Sequence, residues 1–338
     1  MLPFYPPEIT DRIAVTNAVA EAGYMGSDAS FANIFLLRKK YGTQIALQEG
    51  FLFRYYNGQG SRRGYAFPLG AGDPRAALAL ITQDAAESGR PLEFCLVDEP
   101  RAQILREFFG DKSAAEGAEV ATLRFAENRG DSDYLYSAES LANLTGTTYR
   151  KKRNHVSRFS RTYANFELRE ITSENVTDAL QVEKLWMNNG TAAEPCEPCE
   201  HACDPENECE EAAWAERSED EKSRFAEYCA IQESLQHFDA LGMRGAILYV
   251  DGKPVGMTMA SQIIPGVWDI HFEKVIDEYA NDGGYAVINR MFAATLTGAR
   301  LINREEDIGI EGLRKAKLSY YPLTILDKIH ATVVQGGA

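Results

Sequence analysis

The sequence contains no long uncharged apolar run. No window approaches the roughly 18 consecutive apolar residues that a membrane-spanning helix requires. Residues 1–7 also lack the basic start and the apolar stretch of a secretory signal peptide. We therefore expect a soluble, cytoplasmic protein without a transmembrane segment.

Cysteine is scarce, and its distribution excludes a disulfide scaffold. The 338 residues contain 6 cysteines, most of which lie between Cys196 and Cys209. Small secreted domains carry a higher density of cysteine along a short chain. Cys95 and Cys229 lie in apolar stretches, which is typical of core residues. The clustered cysteines therefore indicate metal or redox chemistry.

Positive charge is also in short supply. The chain has 35 Lys and Arg against 50 Asp and Glu, which gives a net charge of -15. Such a chain cannot coat a polyanion with its whole surface, so nucleic acid must meet a local basic patch. One short stretch holds basic residues and no acidic ones; they are Arg150, Lys151, Lys152, Arg153, Arg158 and Arg161.

The order of predicted elements repeats along the chain. Two helices, several strands, a helix, a strand and a helix precede the polar run 128–133, and the same order returns after about residue 165. We predict a mixed α/β fold whose halves each hold a twisted, mostly antiparallel sheet flanked by helices. The predicted boundaries are 1–133 for the N-terminal half, 134–164 for a connecting segment and 165–338 for the C-terminal half, with a cysteine-rich insertion at 194–211.

Local signals mark several element ends. Gly23 ends the first helix, Asp73 with the following proline begins another, and Asp251-Gly252 predicts a tight hairpin. A helix is predicted at 308–318 with Asp307 as its N-cap.

A strand predicted at 268–274 carries the sharpest cluster of titratable residues. Its period of two places Asp269, His271 and Glu273 on one face. A carboxylate beside an imidazole raises the pKa of the imidazole and orients its ring, so His271 and Glu273 can share general-base work. A solvated strand face is the alternative interpretation.

A turn with two adjacent glycines follows this strand and precedes a helix. Glycines allow backbone N–H groups to approach a phosphate at the positive end of a helix. A plain glycine turn is the alternative. The predicted binding residues of this region are Lys274, Asn281, Gly283, Gly284, Tyr285 and Asn289.

Basic residues and a phenol recur near the C-terminus. Arg314, Lys317 and Tyr321 follow each other at three- and four-residue spacing, so one helical face can hold a phosphate or carboxylate. An ordinary solvated basic face is the alternative. The predicted binding residues here are Asn303, Arg304, Arg314 and Lys317, and the predicted catalytic phenol is Tyr320.

The clustered cysteines follow the spacing C-x2-C-x3-C-x5-C. Thiolates at such short spacing suit a tetrahedral zinc ion or an iron–sulfur cluster. The spacing matches neither a zinc ribbon nor a ferredoxin run, and an acidic loop with reduced thiols is the alternative. The predicted metal ligands are Cys196, Cys199, Cys203 and Cys209.

Four runs of sequence carry a family resemblance: 27–33, 149–155, 271–274 and 303–309. With them the chain resembles, over nearly its whole length, a bacterial family similar to the C-terminal domain of phosphatidylglycerol lysyltransferases. The resemblance implies two tandem GNAT-like halves, related to Fem-type aminoacyl transferases. It also implies a cleft beside the strand 268–274 that contains His271, Glu273, Lys317 and Tyr320 or Tyr321.

The activity implied by this resemblance is transfer of an aminoacyl group from aminoacyl-tRNA, or of an acyl group from acyl-CoA, to an amine or hydroxyl acceptor. The acceptor is a small molecule, a peptide or a lipid. Two alternatives stay open: an acetyl-CoA-dependent N-acetyltransferase, and a non-catalytic RNA- or peptide-binding module on the same fold. For tRNA, the expected phosphate contacts are Arg150, Lys151, Lys152, Arg153 and Arg158.

Overall fold

The structure is a computed structural model that describes residues 1–58, 62–110, 122–188 and 218–334. The chain divides into two compact units. The first unit comprises Met1–Ser137, Gln262–Asp269 and Gly298–Ala338, and the second comprises Ala138–Ser261 and Ile270–Thr297.

The strands alternate with helices along the chain. In order they are β1 (Thr43–Gln48), β2 (Phe51–Tyr56), β3 (Gly64–Ala66), β4 (Leu69–Gly70), β5 (Glu93–Val97), β6 (Thr122–Glu127), β7 (Asp133–Ser137), β8 (Phe166–Glu170), β9 (Arg244–Val250), β10 (Lys253–Ile264), β11 (Val267–Val275), β12 (Leu301–Asn303), β13 (Thr324–Leu326) and β14 (Ile329–Val334).

The α-helices are α1 (Arg12–Ala22), α2 (Phe31–Leu36), α3 (Arg38–Tyr41), α4 (Pro74–Ser88), α5 (Glu99–Gly110), α6 (Ala138–Asn143), α7 (Arg150–Thr162), α8 (Val176–Asn188), α9 (Glu219–Gln236), α10 (Asp277–Asn281), α11 (Gly284–Thr295) and α12 (Glu311–Leu318). Short 3-10 helices lie at Ile9–Asp11, Ser27–Ala29 and Arg129–Asp131.

Helix ends follow the predicted capping chemistry at two places. Gly23 adopts a left-handed conformation at the end of α1, with φ of 61°. At the start of α4, the Asp73 side chain accepts a hydrogen bond from the backbone of Arg75, and proline occupies the first helical position. Both predictions are confirmed.

The first unit contains a complete sheet with the order β1-β2-β3-β5-β14-β6, and β4 also pairs with β2. Every pair of strands in this sheet is antiparallel except β3 with β5. The first unit also contains part of the chain's other sheet, in which β7 pairs antiparallel with β12 and β13, and the start of β11 pairs parallel with β12. A core of large side chains covers the first sheet, including Phe53, Tyr65, Leu78, Phe94 and Leu105.

The second unit is built on β8, β9 and β10, which pair antiparallel. Asp251 and Gly252 join β9 to β10 with φ values of 49° and 75°, as the predicted hairpin requires. The register shifts between Pro254 and Gly256, which marks a bulge in β10. The core of the second unit includes Phe159 of α7, Val275 of β11, and Leu248, Val287 and Ile288.

The predicted fold class is confirmed, because the chain holds two mostly antiparallel sheets with flanking helices. The predicted halves, 1–133 and 165–338, do not coincide with the two units. Residues after Gly298 belong to the first unit because β14 inserts between β5 and β6. The predicted connecting segment 134–164 contains most of β7 and all of α6 and α7. Superposition of the two halves stays a prediction.

Candidate active site

The predicted site residues fall into both units. Those of the second unit are His271, Glu273, Lys274, Asn281, Gly283, Gly284, Tyr285 and Asn289, and those of the first are Asn303, Arg304, Arg314, Lys317 and Tyr320. The single cleft that was to contain His271, Glu273 and Lys317 stays a prediction. The predicted metal ligands Cys196, Cys199, Cys203 and Cys209 lie outside the described residues.

The central strand β11 holds His271 in a buried hydrogen bond. His271 is 8% exposed, and its Nε2 lies 2.8 Å from Oγ of Ser261, which is 3% exposed. Two residues along the same strand, Glu273 accepts a hydrogen bond of 3.3 Å from the Asn289 side chain. Nε2 of His271 therefore contacts a hydroxyl that it can deprotonate when that nitrogen is the acceptor.

Lys274 points to the other side of the strand and is occupied there. Its ammonium lies 2.9 Å from the Glu227 carboxylate and 3.5 Å from the ring centre of Trp186. A cation over an indole face beside a carboxylate is a stable arrangement. A substrate that binds Lys274, as predicted, must therefore displace Glu227 or Trp186 from its ammonium group.

Glu183 of α8 lies near Lys274 and is fully buried. Within the ranges that the structure describes, neither carboxylate oxygen has a hydrogen-bond partner. Burial raises the pKa of Glu183 to about 7, although the charge of Lys274 opposes the rise. The Glu183 carboxyl group therefore changes from its neutral to its ionised form near neutral pH.

The predicted glycine turn is packed against protein atoms. Gly283 has φ of 108°, and a side chain there would place Cβ 2.6 Å from the carbonyl oxygen of His155 in α7. A Cβ at Gly284 would lie 2.8 Å from the Tyr279 carbonyl oxygen. These glycines are thus required for close packing inside the second unit. Phosphate binding at this turn stays a prediction.

In the basic helix α7, two arginines that were predicted to contact tRNA bind backbone carbonyls of the second unit. Arg158 donates to the backbone carbonyls of Asn281 and Asp282, and Arg153 donates to the carbonyls of Leu144 and Gly146. The other predicted contacts are Arg150 and Lys151, which are exposed, and Lys152, which is half-buried.

In the first unit, the run 303–309 forms a strained turn. Glu305 and Ile308 adopt positive φ values of 56° and 46°, which residues with side chains rarely do. The buried Asn303 stabilises this turn, because its side-chain oxygen accepts the Glu305 N–H at 2.7 Å. Its amide also donates to the Met25 carbonyl at 3.0 Å.

Lys317 also stabilises this turn. It is 8% exposed, and its ammonium donates to the carbonyls of Arg304 and Glu305. Burial lowers the pKa of Lys317. Tyr320 is also buried and lies beneath the guanidinium of Arg304 at 4.8 Å, whereas Tyr321 is exposed.

The predicted N-cap role of Asp307 is wrong. The helix α12 begins at Glu311, three residues later than predicted, with Ile310 at the cap position. Asp307 instead accepts two hydrogen bonds from Arg314, at 2.8 and 3.0 Å, and one of 2.5 Å from Tyr134. Burial opposes ionisation, but these bonds outweigh it and lower the pKa of Asp307 to about 2. Arg314 is therefore paired inside the protein.

A buried ion network lies beside this turn. Lys328 is 2% exposed and lies 3.0 Å from Asp28 and 2.8 Å from Asp133. Arg54 also pairs with Asp28 at 2.8 Å. Burial disfavours the charge of Asp28, but Lys328 and Arg54 outweigh it and hold the pKa of Asp28 well below its usual range. Asp28 is thus held in its ionised form.

Asp269 and Glu305 form a second pair of carboxyl groups, in which the pKa of Asp269 is shifted in the opposite direction to that of Asp28. The amide nitrogen of Asn33 lies 2.8 Å from Glu305 and 3.3 Å from the fully buried Asp269 of β11. Oxygens of Asp269 and Glu305 lie within 4.8 Å of each other. Burial, and then the nearby acidic groups, raise the pKa of Asp269 well above its usual range. Burial and the neighbouring acidic groups therefore favour the neutral form of the Asp269 carboxyl group.

Sequence reasoning did not select these first-unit residues as a site. Asp28 and Asn33 belong to the run 27–33, which carried only the resemblance. The partners Asn303 and Asp133 become visible only when strands β7 and β12 pair.

The chain matches one family model over most of its length. The model, described as phosphatidylglycerol lysyltransferase, C-terminal, covers residues 20–331. The chain belongs to this family. The resemblance predicted from the four sequence runs is thereby confirmed. No curated protein matches the chain significantly.

Solved structures of other bacterial proteins are similar to this chain. A conserved protein of unknown function from Bacteroides thetaiotaomicron is 32% identical, with 99% of this chain and 100% of that chain covered and a TM-score of 0.80. L-PGS from Bacillus licheniformis is 12% identical, with 90% of each chain covered and a TM-score of 0.54. The second likeness shows a shared fold.

At a coarse level, family membership supports a transferase. Among the described residues, no helix has both the length and the apolar character needed to cross a membrane.

Proposed function

We propose that this chain transfers an acyl or aminoacyl group from an activated donor to an amine or hydroxyl acceptor, with β11 as the reacting strand. The observation that supports this most directly is the hydrogen bond of 2.8 Å between His271 and Ser261 in the interior of the strand region. A base within hydrogen-bond reach of a hydroxyl has the geometry that general-base catalysis requires.

Two titratable residues of β11, both in the second unit, divide the chemistry in this proposal. His271 takes a proton from the attacking group, and Glu273 is the second candidate base.

The donor proposed first is an aminoacyl-tRNA, with acyl-CoA as the alternative. The family description names a lysyl group and phosphatidylglycerol, so lysyl-tRNA and this lipid are the first pair to test. The exposed Arg150 and Lys151 of α7 are available for phosphate contacts, whose strength falls as salt rises. Peptides and small amines are the other acceptors.

The test is a transfer assay with the full chain. The protein is incubated with tRNA charged with radiolabelled amino acids, or with labelled acyl-CoA, and with either phosphatidylglycerol vesicles or a dialysed extract containing small amines and peptides. Label in a lipid, peptide or small-molecule product supports the proposal and names the acceptor. Absence of label from every donor, at protein concentrations above those of the donor, contradicts it.

A further inference from the structure

Helix α12 of the first unit presents its leucines to solvent and buries a lysine. Leu313 and Leu318 are 37% and 42% exposed, whereas Lys317 is the one buried residue of this helix. The apolar residues of a surface helix ordinarily face the core, and its charged residues face water. Packing within the first unit therefore does not account for the outward leucines of α12.

The residues on both sides of α12 extend this exposed apolar surface. Of the nine large apolar side chains that are exposed in the described part of the chain, six lie in the stretch 308–323, which we call the apolar face. They are Ile308, Ile310, Leu313, Leu318, Tyr321 and Leu323. Single exposed apolar side chains are ordinary, but a concentration of them marks an interaction site.

The exposed charges on the apolar face cancel one another. Glu311 and Lys315 form an exposed ion pair of 2.6 Å, one helical turn apart, and Arg314 is paired with the buried Asp307. A face without net charge does not attract nucleic acid or an anionic lipid surface. The occupant that fits this face is therefore apolar and carries matching charges of both signs.

We propose that the apolar face binds the same face of a second copy of this chain, with the two α12 helices antiparallel about a two-fold axis level with Leu313. Glu311 and Lys315 lie two residues before and two residues after Leu313, so each Glu311 comes level with Lys315 of the second copy. The apolar residues before the helix, Ile308 and Ile310, come level with the apolar residues that follow it in the second copy. The face is thus complementary to itself in charge and in hydrophobicity.

Gly312 leaves room for the second helix. A Cβ built at Gly312 would meet no atom within 4 Å, so the surface of α12 is open at this point. Packing inside the unit does not require a glycine there, whereas a bare backbone lets another helix approach closely. The apolar face has 16 residues, fewer than the roughly 20–30 that each side of a standard interface contributes. We therefore expect a weak, reversible dimer.

The test is the molecular mass of the full chain in solution, measured by sedimentation equilibrium over a series of concentrations. We expect a reversible change from 37.5 kDa to twice that mass. Gly312→Arg and Leu313→Asp should each weaken the dimer by about tenfold or more. Gly312→Arg should not weaken the fold, because the position is open and arginine favours a helix more than glycine does. The matched control is Ile13→Asp, at an exposed apolar residue of the same unit outside the face, and it should leave the dimer unchanged.

Charge reversal tests the antiparallel arrangement. Glu311→Lys or Lys315→Glu alone places like charges level with each other and should weaken the dimer by about two- to tenfold. The double substitution restores opposite charges and should restore the dimer. Its failure to do so, with both single variants weakened, overturns the antiparallel arrangement.

The remaining outcomes decide whether a second copy is the occupant. A monomer at every concentration overturns the proposal, and so does a dimer that persists in both Gly312→Arg and Leu313→Asp. Binding of a monomeric wild type to phosphatidylcholine vesicles, lost in Leu313→Asp, assigns the face to a lipid surface instead and also overturns it. Circular dichroism melting curves establish that each variant is folded. None of these measurements requires transferase activity.

Discussion

At the scale of single residues, the most unusual feature is the sharp separation of carboxyl groups by environment. Asp28 and Asp133 lie against Lys328 in the buried network, whereas Asp269 and Glu183 lie where burial dominates. The surroundings therefore favour the ionised form of Asp28 and the neutral form of Asp269 and Glu183. This division has consequences for stability that can be measured.

Lys328→Met should destabilise the protein strongly. It removes the cation between two buried carboxylates and leaves a charge without compensation, which typically costs about 3–5 kcal/mol. The matched control is Lys315→Met, which breaks an exposed pair with Glu311 and should cost less than about 1 kcal/mol. Urea unfolding measures both free energies. Similar losses in the two variants would show that the buried network does not stabilise the fold.

Glu183→Gln should change how stability depends on pH. The pKa of Glu183 rises from an ordinary value of 4.5 to about 7 on folding, so the folded state binds the proton more tightly. Stability from this group is fully present below pH 4.5 and is lost as pH rises through 7. The loss reaches roughly 3 kcal/mol at most. The urea concentration at the unfolding midpoint of the variant should be nearly the same at pH 5 and pH 8. The midpoint of the wild type should be clearly lower at pH 8 than at pH 5.

At the scale of elements, turn and cap chemistry was the most predictable part of the fold. The hairpin at Asp251-Gly252 and the start of α4 at Asp73 follow from two or three residues, and the structure confirms both. The start of α12 was misplaced because Asp307 pairs with Arg314 of that helix and with the distant Tyr134. A contact with a residue 173 positions away leaves no local sequence signal.

The turn before α11 yields a test at the same scale. Gly283→Ala places a methyl group 2.6 Å from the His155 carbonyl oxygen at a positive φ, so we expect a loss of about 2 kcal/mol or more. Gly298→Ala is the control, since it also has positive φ but no neighbouring atom within 4 Å, and about 1 kcal/mol is expected. Thermal unfolding compares them. Equal losses would mean that α7 does not pack closely on this turn.

At the scale of the whole molecule, the order of elements predicted the fold class but not the course of the chain. The return of β14 to the sheet of the first unit depends on pairing between residues more than 200 positions apart, as between Thr332 and Glu93. Long-range pairing of this kind leaves no local pattern. The candidate site was also predicted only in part. Strand β11 was selected because its polar residues alternate with apolar ones. The contacts of Ser261 with His271 and of Asn33 with Asp269 depend on neighbouring elements within each unit, and the sequence does not reveal them.

The distribution of charge limits where the proposed polyanionic donor can bind this strongly acidic chain. The net charge of -15 repels nucleic acid over most of the surface, and only local positive charge can overcome that repulsion. Helix α7 provides such charge with Arg150 and Lys151 exposed. Two of its other arginines, Arg153 and Arg158, are engaged with backbone carbonyls.

The central claim is that β11 is the reacting strand. The most direct test is the single-turnover rate of acyl transfer for His271→Ala and Glu273→Gln, with His237→Ala as an exposed control outside the strand. Loss of a positioned base should slow at least one of the two strand variants by about 10²–10⁴-fold, while the control stays within twofold of wild type. Unchanged rates in both strand variants, with each shown to be folded, would contradict the account.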